Sequence, residues 1–317
     1  MLAPNTKTQY YRTTAQIAFF ALFVLTPVLD IFRLDLIEGH FILLGFNWTL
    51  GLSEFQHGTA STGEAVLNIF IRVFLPLLSI AATFIVTSYF WGRLYCGWLC
   101  PHYTVVETIN HLMTRAFGKP SIWEKHTLPQ QQADGTTLKP NKIYKLFTLL
   151  AIIGFAFLWA VSFLTYLLPP ALIYHNLFTL QLSFNQSIFI GVATFLFTLE
   201  FTLARHLFCR FGCAVGIFQS LAWMSNAKAR GIQFDSNRAN ACKTCVEACD
   251  NVCPMRLKTR TSKRKKFTCT TCLACVSACE QVQNGDSLLH WVPPENNSRI
   301  TTPMSFPVKI TIEQSKK

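Results

Sequence analysis

The sequence predicts an all-α membrane protein of four transmembrane helices joined to a small, cysteine-dense α+β domain. Three observations carry that expectation. Four stretches are apolar enough to cross a bilayer. Only 14% of the 317 residues are charged, where a soluble domain carries about 25%. Eight of the twelve cysteines fall between Cys242 and Cys279.

The apolar stretches run roughly over Thr14–Phe32, Leu67–Phe90, Leu146–Leu168 and Ser187–Phe208, each near the ~20 residues a crossing helix needs. Pro27 and Pro76 fall inside the first two, which membrane helices tolerate. Met1–Arg12 is polar and the run after it has no small-residue cleavage site, so no cleaved leader is expected. Trp48, Trp91, Tyr95, Tyr166 and Tyr174 sit near span ends as interfacial anchors. Lys7 and Arg12 precede the first span, Arg33 is the one basic residue of the first loop, seven basic residues from Arg93 to Lys145 occupy the second, and Pro169–Gln186 has no charge. By the positive-inside rule both termini and the second loop face the cytoplasm. Phe41–Leu52 is apolar but too short to cross, and is expected either to form a re-entrant or interfacial segment that covers a lipophilic substrate such as a quinone, or to pack on helix ends.

The cysteine-dense stretch contains Cys242-x2-Cys245-x3-Cys249-x3-Cys253-Pro254 and Cys269-x2-Cys272-x2-Cys275-x3-Cys279. The second spacing is that of a bacterial ferredoxin site, where three close thiolates hold three corners of a [4Fe–4S] cluster and the fourth ligates the other cluster. Cross-ligation then assigns Cys242, Cys245, Cys249 and Cys279 to one cluster and Cys269, Cys272, Cys275 and Cys253 to the second. Two zinc sites are the rival, but zinc pairs usually stand further apart. The extra residue before Cys249 and Glu280 in place of a proline after Cys279 depart from the pattern. The expected division is a membrane domain over 1–225, a two-[4Fe–4S] ferredoxin-like cytoplasmic domain over 226–290 and a tail over 291–317. Disulfides are not expected of a multi-span chain with its cysteines on the reducing side.

The other four cysteines form matched pairs, Cys96/Cys100 after the second span and Cys209/Cys213 after the fourth. An i, i+4 spacing puts both thiols on one helix face. Arg93 and Arg205 precede the pairs, and positive charge there favours thiolates. Two matched pairs suggest an internal repeat whose four soft ligands form a redox or metal site: a third iron–sulfur cluster, a copper site or a redox-active dithiol. Small buried residues at helix contacts are the bland alternative.

Residues 205–317 hold seventeen Lys/Arg against seven Asp/Glu. Such charge suits anionic headgroups or an acidic redox partner. Nothing resembles a nucleic-acid-reading element, so nucleic acid is not an expected partner. Within it Arg256–Lys266 reads as a solvated basic loop, or as a docking patch. Arg72 and Glu200 lie within apolar spans, where ionisable residues are functional candidates. Arg72 can snorkel outward. Glu200 can relay protons or pair with Arg205 or Arg93. His102 and His206 lie near the cysteine pairs, where they are secondary candidates as ligands.

Gly92-Arg-Leu-Tyr-Cys-Gly-Trp-Leu-Cys-Pro101 and Cys209-Arg-Phe-Gly-Cys-Ala-Val-Gly-Ile-Phe-Gln219 resemble the paired CxxxCP motifs of membrane polyferredoxins of the CcoG/RdxA/FixG type and the related NapH/NosR families. Phe41–Phe55 and Ala229–Asp235 look more like the CcoG side, and the resemblance covers most of residues 20–285. It departs at Ala214, where the second motif lacks proline. The resemblance implies a multi-pass protein of a bacterial cytoplasmic membrane. On the CcoG side it implies Cu(II) reduction and work with cytochrome oxidase assembly factors; on the NapH side, quinol oxidation feeding a respiratory reductase. The sequence thus carries three functional expectations: an oxidoreductase acting at the Cys96/Cys100/Cys209/Cys213 site, a quinol-linked electron donor with Glu200 near the quinone, and a redox-sensing assembly or regulatory factor.

Overall fold

The structure, a computed structural model, describes residues 7–49, 61–132 and 135–292. The expected tail beyond 292 and the end of the Phe41–Leu52 stretch lie outside the described residues. Among the described residues three helices are long and apolar enough to span a bilayer: α2 (Thr62–Trp91), α5 (Ile143–Thr165) and α7 (Phe184–Ala204). α2 starts on a Ser61/Glu64 capping box, which satisfies two of its free N–H groups. α7 starts on the equivalent Ser183/Gln186 box. α7 stops at Ala204, four residues short of the expected end, because Arg205 adopts φ 41°, a left-handed conformation that a helix cannot continue.

The first apolar stretch is displaced from its expected limits. α1 runs over Lys7–Leu25, starting seven residues before Thr14 and ending seven before Phe32. Its first half is polar, with Tyr10 and Tyr11 exposed, yet one side of it lies inside the protein. Arg12 and Gln16 are buried. Arg12 pairs with Glu107 and donates to Gly97 O at 2.9 Å, and Gln16 donates to Glu107 at 3.0 Å. A polar segment can extend the helix because each buried group has a partner.

Residues after α1 form an antiparallel meander of β1 (Phe32–Asp35), β2 (His40–Leu43) and β3 (Phe46–Trp48), with Phe32 opposite Leu43 and Phe41 opposite Trp48. The re-entrant reading of Phe41–Leu52 is therefore corrected as far as the chain is described. Leu44 and Gly45 both have positive φ, the backbone of a tight two-residue hairpin, and the chain reverses there. Leu34 N–H donates to Tyr166 O, tying the meander to the end of α5. Arg72 lies beside it, its guanidinium donating to Thr49 O at 3.2 Å.

Two further helices follow α2: the short α3 (Leu94–Trp98) and α4 (Pro101–Phe117). α4 buries Val105, Val106, Ile109 and Met113 against Ile152, Ala156 and Trp159 of α5 and Phe201 of α7, with Phe20 and Phe23 of α1 alongside. The short α6 (Pro170–Phe178) joins α5 to α7. α8 (Ala214–Ser225) packs on α2. The cysteine-rich domain is a two-stranded antiparallel ribbon, β4 (Gly231–Phe234) with β5 (Leu289–Val292), and two helices, α9 (Ala248–Asn251) and α10 (Ala274–Val282). β5 carries the domain two residues past position 290.

The domain sits directly on α3. A Cβ on Gly97 would lie 2.1 Å from Thr270 O. Trp98 Nε1 donates to Thr271 O at 3.1 Å, and Gln9 Nε2 to Cys272 O at 3.0 Å. Substituting Gly97→Ala is expected to lower stability by about 1–3 kcal/mol, the usual cost of overpacking a fixed site. Chemical denaturation in detergent measures the change, with faster proteolytic release of the domain as its companion.

Candidate iron–sulfur site

The eight clustered cysteines surround two cavities. One is lined by Cys253, Cys269, Cys272 and Cys275 with Met255, Leu257 and Lys266. The other is lined by Cys242, Cys245, Cys249 and Cys279 with Glu247 and Arg260. The cavities collect the two quartets expected from the spacing. Among the described residues no three His, Cys, Asp or Glu side chains are arranged to hold a single metal ion. The thiols ring a volume, as the ligands of a polynuclear cluster do.

The extra residue in the first motif does not displace Cys249. In α10, Leu273 precedes Ala274 and Cys275 with φ 60°; in α9, Glu247 precedes Ala248 and Cys249 with φ 54°. Both helices therefore begin from a left-handed residue and present cysteine second. The insertion is taken up upstream by Val246, which is exposed. The missing proline has an equally local cause. Cys279 lies inside α10, which continues to Val282, and proline in a helix interior removes a hydrogen bond and clashes with the preceding turn. Cys253 follows the end of α9, so Pro254 is harmless.

The Arg256–Lys266 stretch is not a solvated loop. Lys266 is buried at the first cavity and donates to Ile232 O and, at 3.2 Å, to Thr259 O. Arg260 lines the second cavity and pairs with Glu247 at 3.2 Å. Arg256 reaches Glu124 at 2.7 Å, and Lys263 donates to Trp223 O and Asn226 O. Each cavity thus has one cation in its wall. Cys253 Sγ accepts from Leu257 N–H at 3.4 Å and Cys279 Sγ from Leu288 N–H at 3.3 Å. Hydrogen bonds to sulfur and nearby charge are two levers on cluster potential.

The membrane-side pairs do not each share a helix face. Cys96 lies on α3, whereas Cys100 is the N-cap of α4, with ψ 116°. Pro101 accounts for the break, since the residue before proline is driven out of the helical region. Cys209 lies in a π-turn over Phe208–Gly212, and Cys213 is the N-cap of α8, with ψ 109°. Ala214 serves here where the first repeat has proline. Each pair thus straddles a helix break and puts its second cysteine at a helix N-cap, where N–H groups favour negative charge.

The four thiols are close enough to act on each other's ionisation: Cys209 is affected by Cys96, Cys100 and Cys213. Arginine does not make them thiolates. Burial dominates and pushes Cys96 up to about 12, with Cys100 adding and Arg93 opposing. Cys100 is also raised by burial, against the backbone N–H groups of Tyr103 and His102. Four crowded buried thiols do not ionise together in water; a bound metal centre deprotonates them outright. Arg205 turns away, donating to Met113 Sδ at 2.7 Å and Pro120 O at 3.3 Å.

Among the described residues Glu200 makes no ion pair with Arg93 or Arg205, although its charge acts on the Arg205 guanidinium against burial. Its Oε1 lies 3.4 Å from His102 Nε2. The His102 ring packs among Trp159, Phe201 and Phe208. Sequence reasoning missed this partner, whose position next to Cys100 was the available signal. His206 is buried and touches neither quartet; burial and Arg205 lower it to about 4. The two sites are neighbours: Tyr103, Met255 and Leu257 form an apolar cluster against which Cys100, Cys209, Cys253 and Cys269 all pack.

The family model described as "4Fe-4S binding domain" matches the chain twice, over residues 73–120 and 184–230. Each match contains one of the CxxxC pairs and none of the eight clustered cysteines. The chain is 26% identical over 200 residues to an uncharacterized protein of Methanocaldococcus jannaschii, MJ0749, covering 62% of this chain and 65% of that protein. It is 25% identical over 280 residues to a second, MJ0750, covering 87% and 94%. It is 25% identical over 199 residues to the "Putative electron transport protein YccM" of Escherichia coli, covering 62% and 51%. The chain therefore spans about two thirds of the first relative, nearly all of the second and half of the third. No solved structure matches it.

Replacing Glu280 by proline is expected to cost about 3 kcal/mol, the penalty for proline inside a helix. Equilibrium unfolding of the iron-loaded protein reports it, with loss of the visible iron–sulfur absorbance as a second readout.

Proposed function

We propose that this protein carries electrons across the inner half of a membrane through three [4Fe–4S] centres. Cys96, Cys100, Cys209 and Cys213 hold the innermost; Cys253, Cys269, Cys272 and Cys275 the middle one; Cys242, Cys245, Cys249 and Cys279 the outermost. The observation that carries this reading is the convergence of the two CxxxC pairs, each within a 4Fe–4S family match, against the wall of the middle cavity. Bound clusters supply one-electron chemistry. The chain's own residues supply the thiols, the N–H donors to sulfur, the cations Lys266 and Arg260, and an apolar seal of Tyr103, Met255 and Leu257. The name of the E. coli relative agrees with an electron-transport role.

The protein is a membrane protein by its three apolar helices, and a fourth crossing by α1 completes the proposal. α1 starts with Gln9 beside Cys272 and reaches Tyr166, whose hydroxyl donates to Phe23 O at 2.7 Å. Tyr166 ends α5, so α1 runs from the cluster side to the opposite membrane edge. The basic loops support a cytoplasmic side for the clusters, and the proposal takes the bilayer and a soluble redox protein as partners.

The half-buried His102–Glu200 pair favours a quinol as the electron source over Cu(II) as the acceptor. Quinol oxidation releases protons with its electrons, and an imidazole–carboxylate pair beside the innermost thiols can take one up. Cu(II) reduction needs no such pair.

Iron and acid-labile sulfide of anaerobically purified protein test the proposal. Three clusters require about twelve irons, and Cys96→Ser/Cys209→Ser is expected to leave about eight. About eight in both proteins removes the third cluster and returns the membrane-side thiols to copper or dithiol chemistry. Zinc in place of iron contradicts electron transfer altogether.

A further inference from the structure

Arg93 is buried completely, yet among the described residues no carboxylate forms an ion pair with it. Its Nε donates to Ser220 Oγ at 2.6 Å, and Ser220 in turn donates to Phe267 O at 2.7 Å. Its Nη1 donates to Cys209 O at 2.9 Å. Gly216 leaves the room for this: a Cβ there would lie 3.2 Å from both Cζ and Nη1. Nη2 has no hydrogen-bond partner among the described residues. The charged-capable groups acting on the guanidinium are thiols from two sites, Cys96, Cys209 and Cys213 at the membrane side and Cys269 at the middle cavity. A full positive charge without a counter-ion is costly to bury. It is retained here between two sets of cysteines, in a position no salt bridge explains.

We propose that Arg93 is a positioning residue that sets the reduction potential of the innermost centre, through a fixed positive charge and an Nη2–H donor directed at its sulfur. The inference rests on the three-cluster reading above. A [4Fe–4S] centre with four thiolates carries a net charge of about −2 when oxidised and about −3 when reduced. Reduction adds one electron, breaks no bond and moves no proton. The quinol, or an added reductant such as dithionite, supplies the electron. A buried cation beside the site stabilises the extra negative charge, and in a low-dielectric setting that effect is large. Arg205, at the corresponding place in the second repeat, reaches Met113 and Pro120 instead. The repeat therefore delivers one cation to the shared site, and delivers it from the side facing the middle centre.

The test is an anaerobic redox titration with dithionite, followed by low-temperature EPR, on wild type, Arg93→Gln and Arg93→Lys, with iron counted in each. The innermost centre is identified by its loss in Cys96→Ser/Cys209→Ser. Arg93→Gln is expected to keep about twelve irons and shift that centre's midpoint to more negative potential, while Arg93→Lys stays near wild type. Loss of about four irons in Arg93→Gln but not in Arg93→Lys also supports the role, since the charge is then needed to hold the centre. An unchanged midpoint in fully loaded Arg93→Gln overturns it. So does equal iron loss in both variants, which assigns Arg93 to packing. A wild type with only about eight irons overturns it too, and in that case the three-cluster reading itself has failed.

Discussion

The contact between Gly97 and the Thr270 carbonyl is the constraint from which the rest of the arrangement follows. It brings the loop of the second cysteine motif onto the first CxxxC loop, with no room for a side chain between them. Once the backbones meet there, Trp98 and Gln9 bond to the carbonyls of Thr271 and Cys272, and Tyr103 lies within 3.4 Å of Thr270 Oγ1. The Arg12–Glu107 pair and Gln16 then find their place against Gly97 O, which accepts from both side chains. An ion pair this deeply buried adds little net stability. It does fix which turn of α1 faces which turn of α4, and so holds the helix against the cluster domain.

The two repeats are alike in backbone and unlike in surroundings. In each, a membrane helix ends at an abrupt break, a cysteine follows on a short turn, and a second cysteine caps the next helix. Around that frame the sequence has diverged. Arg93 faces the thiols and Arg205 faces α4. The first repeat's loop receives the cluster domain, whereas the second contributes Glu200, paired with His102 of the first. The site is therefore shared between repeats but polar in direction, with the cluster domain on one side and the half-buried acid on the other.

Cysteine spacing made the cluster domain the most legible part of the sequence, because cluster ligation depends on local loop geometry. The tolerance of the first loop for Val246 was not legible, since it depends on a left-handed residue at Glu247 that no pattern announces. The CxxxC pairs looked like one helix face because i, i+4 periodicity carries no record of a helix break; Pro101 marked the break in one repeat and nothing marked it in the other. Arg12 read as the end of a polar tail and Gln16 as part of the first span because their acceptor, Gly97 O, lies more than eighty residues away. The basic stretch read as solvated for the same reason. Lys263 and Lys266 end on carbonyls of distant strands and helices, acceptors that every residue possesses and no sequence displays.

An iron map of the folded molecule tests the central claim most directly, because the claim concerns where three metal centres lie. Anomalous scattering at the iron edge from crystals of anaerobically prepared protein locates iron without regard to activity or partner. The account predicts three iron-dense centres in sequence: one among Cys96, Cys100, Cys209 and Cys213, one within the Cys253/Cys269/Cys272/Cys275 cavity, and one within the Cys242/Cys245/Cys249/Cys279 cavity. Iron confined to the two cavities, with the membrane-side thiols bare or holding another metal, would contradict it.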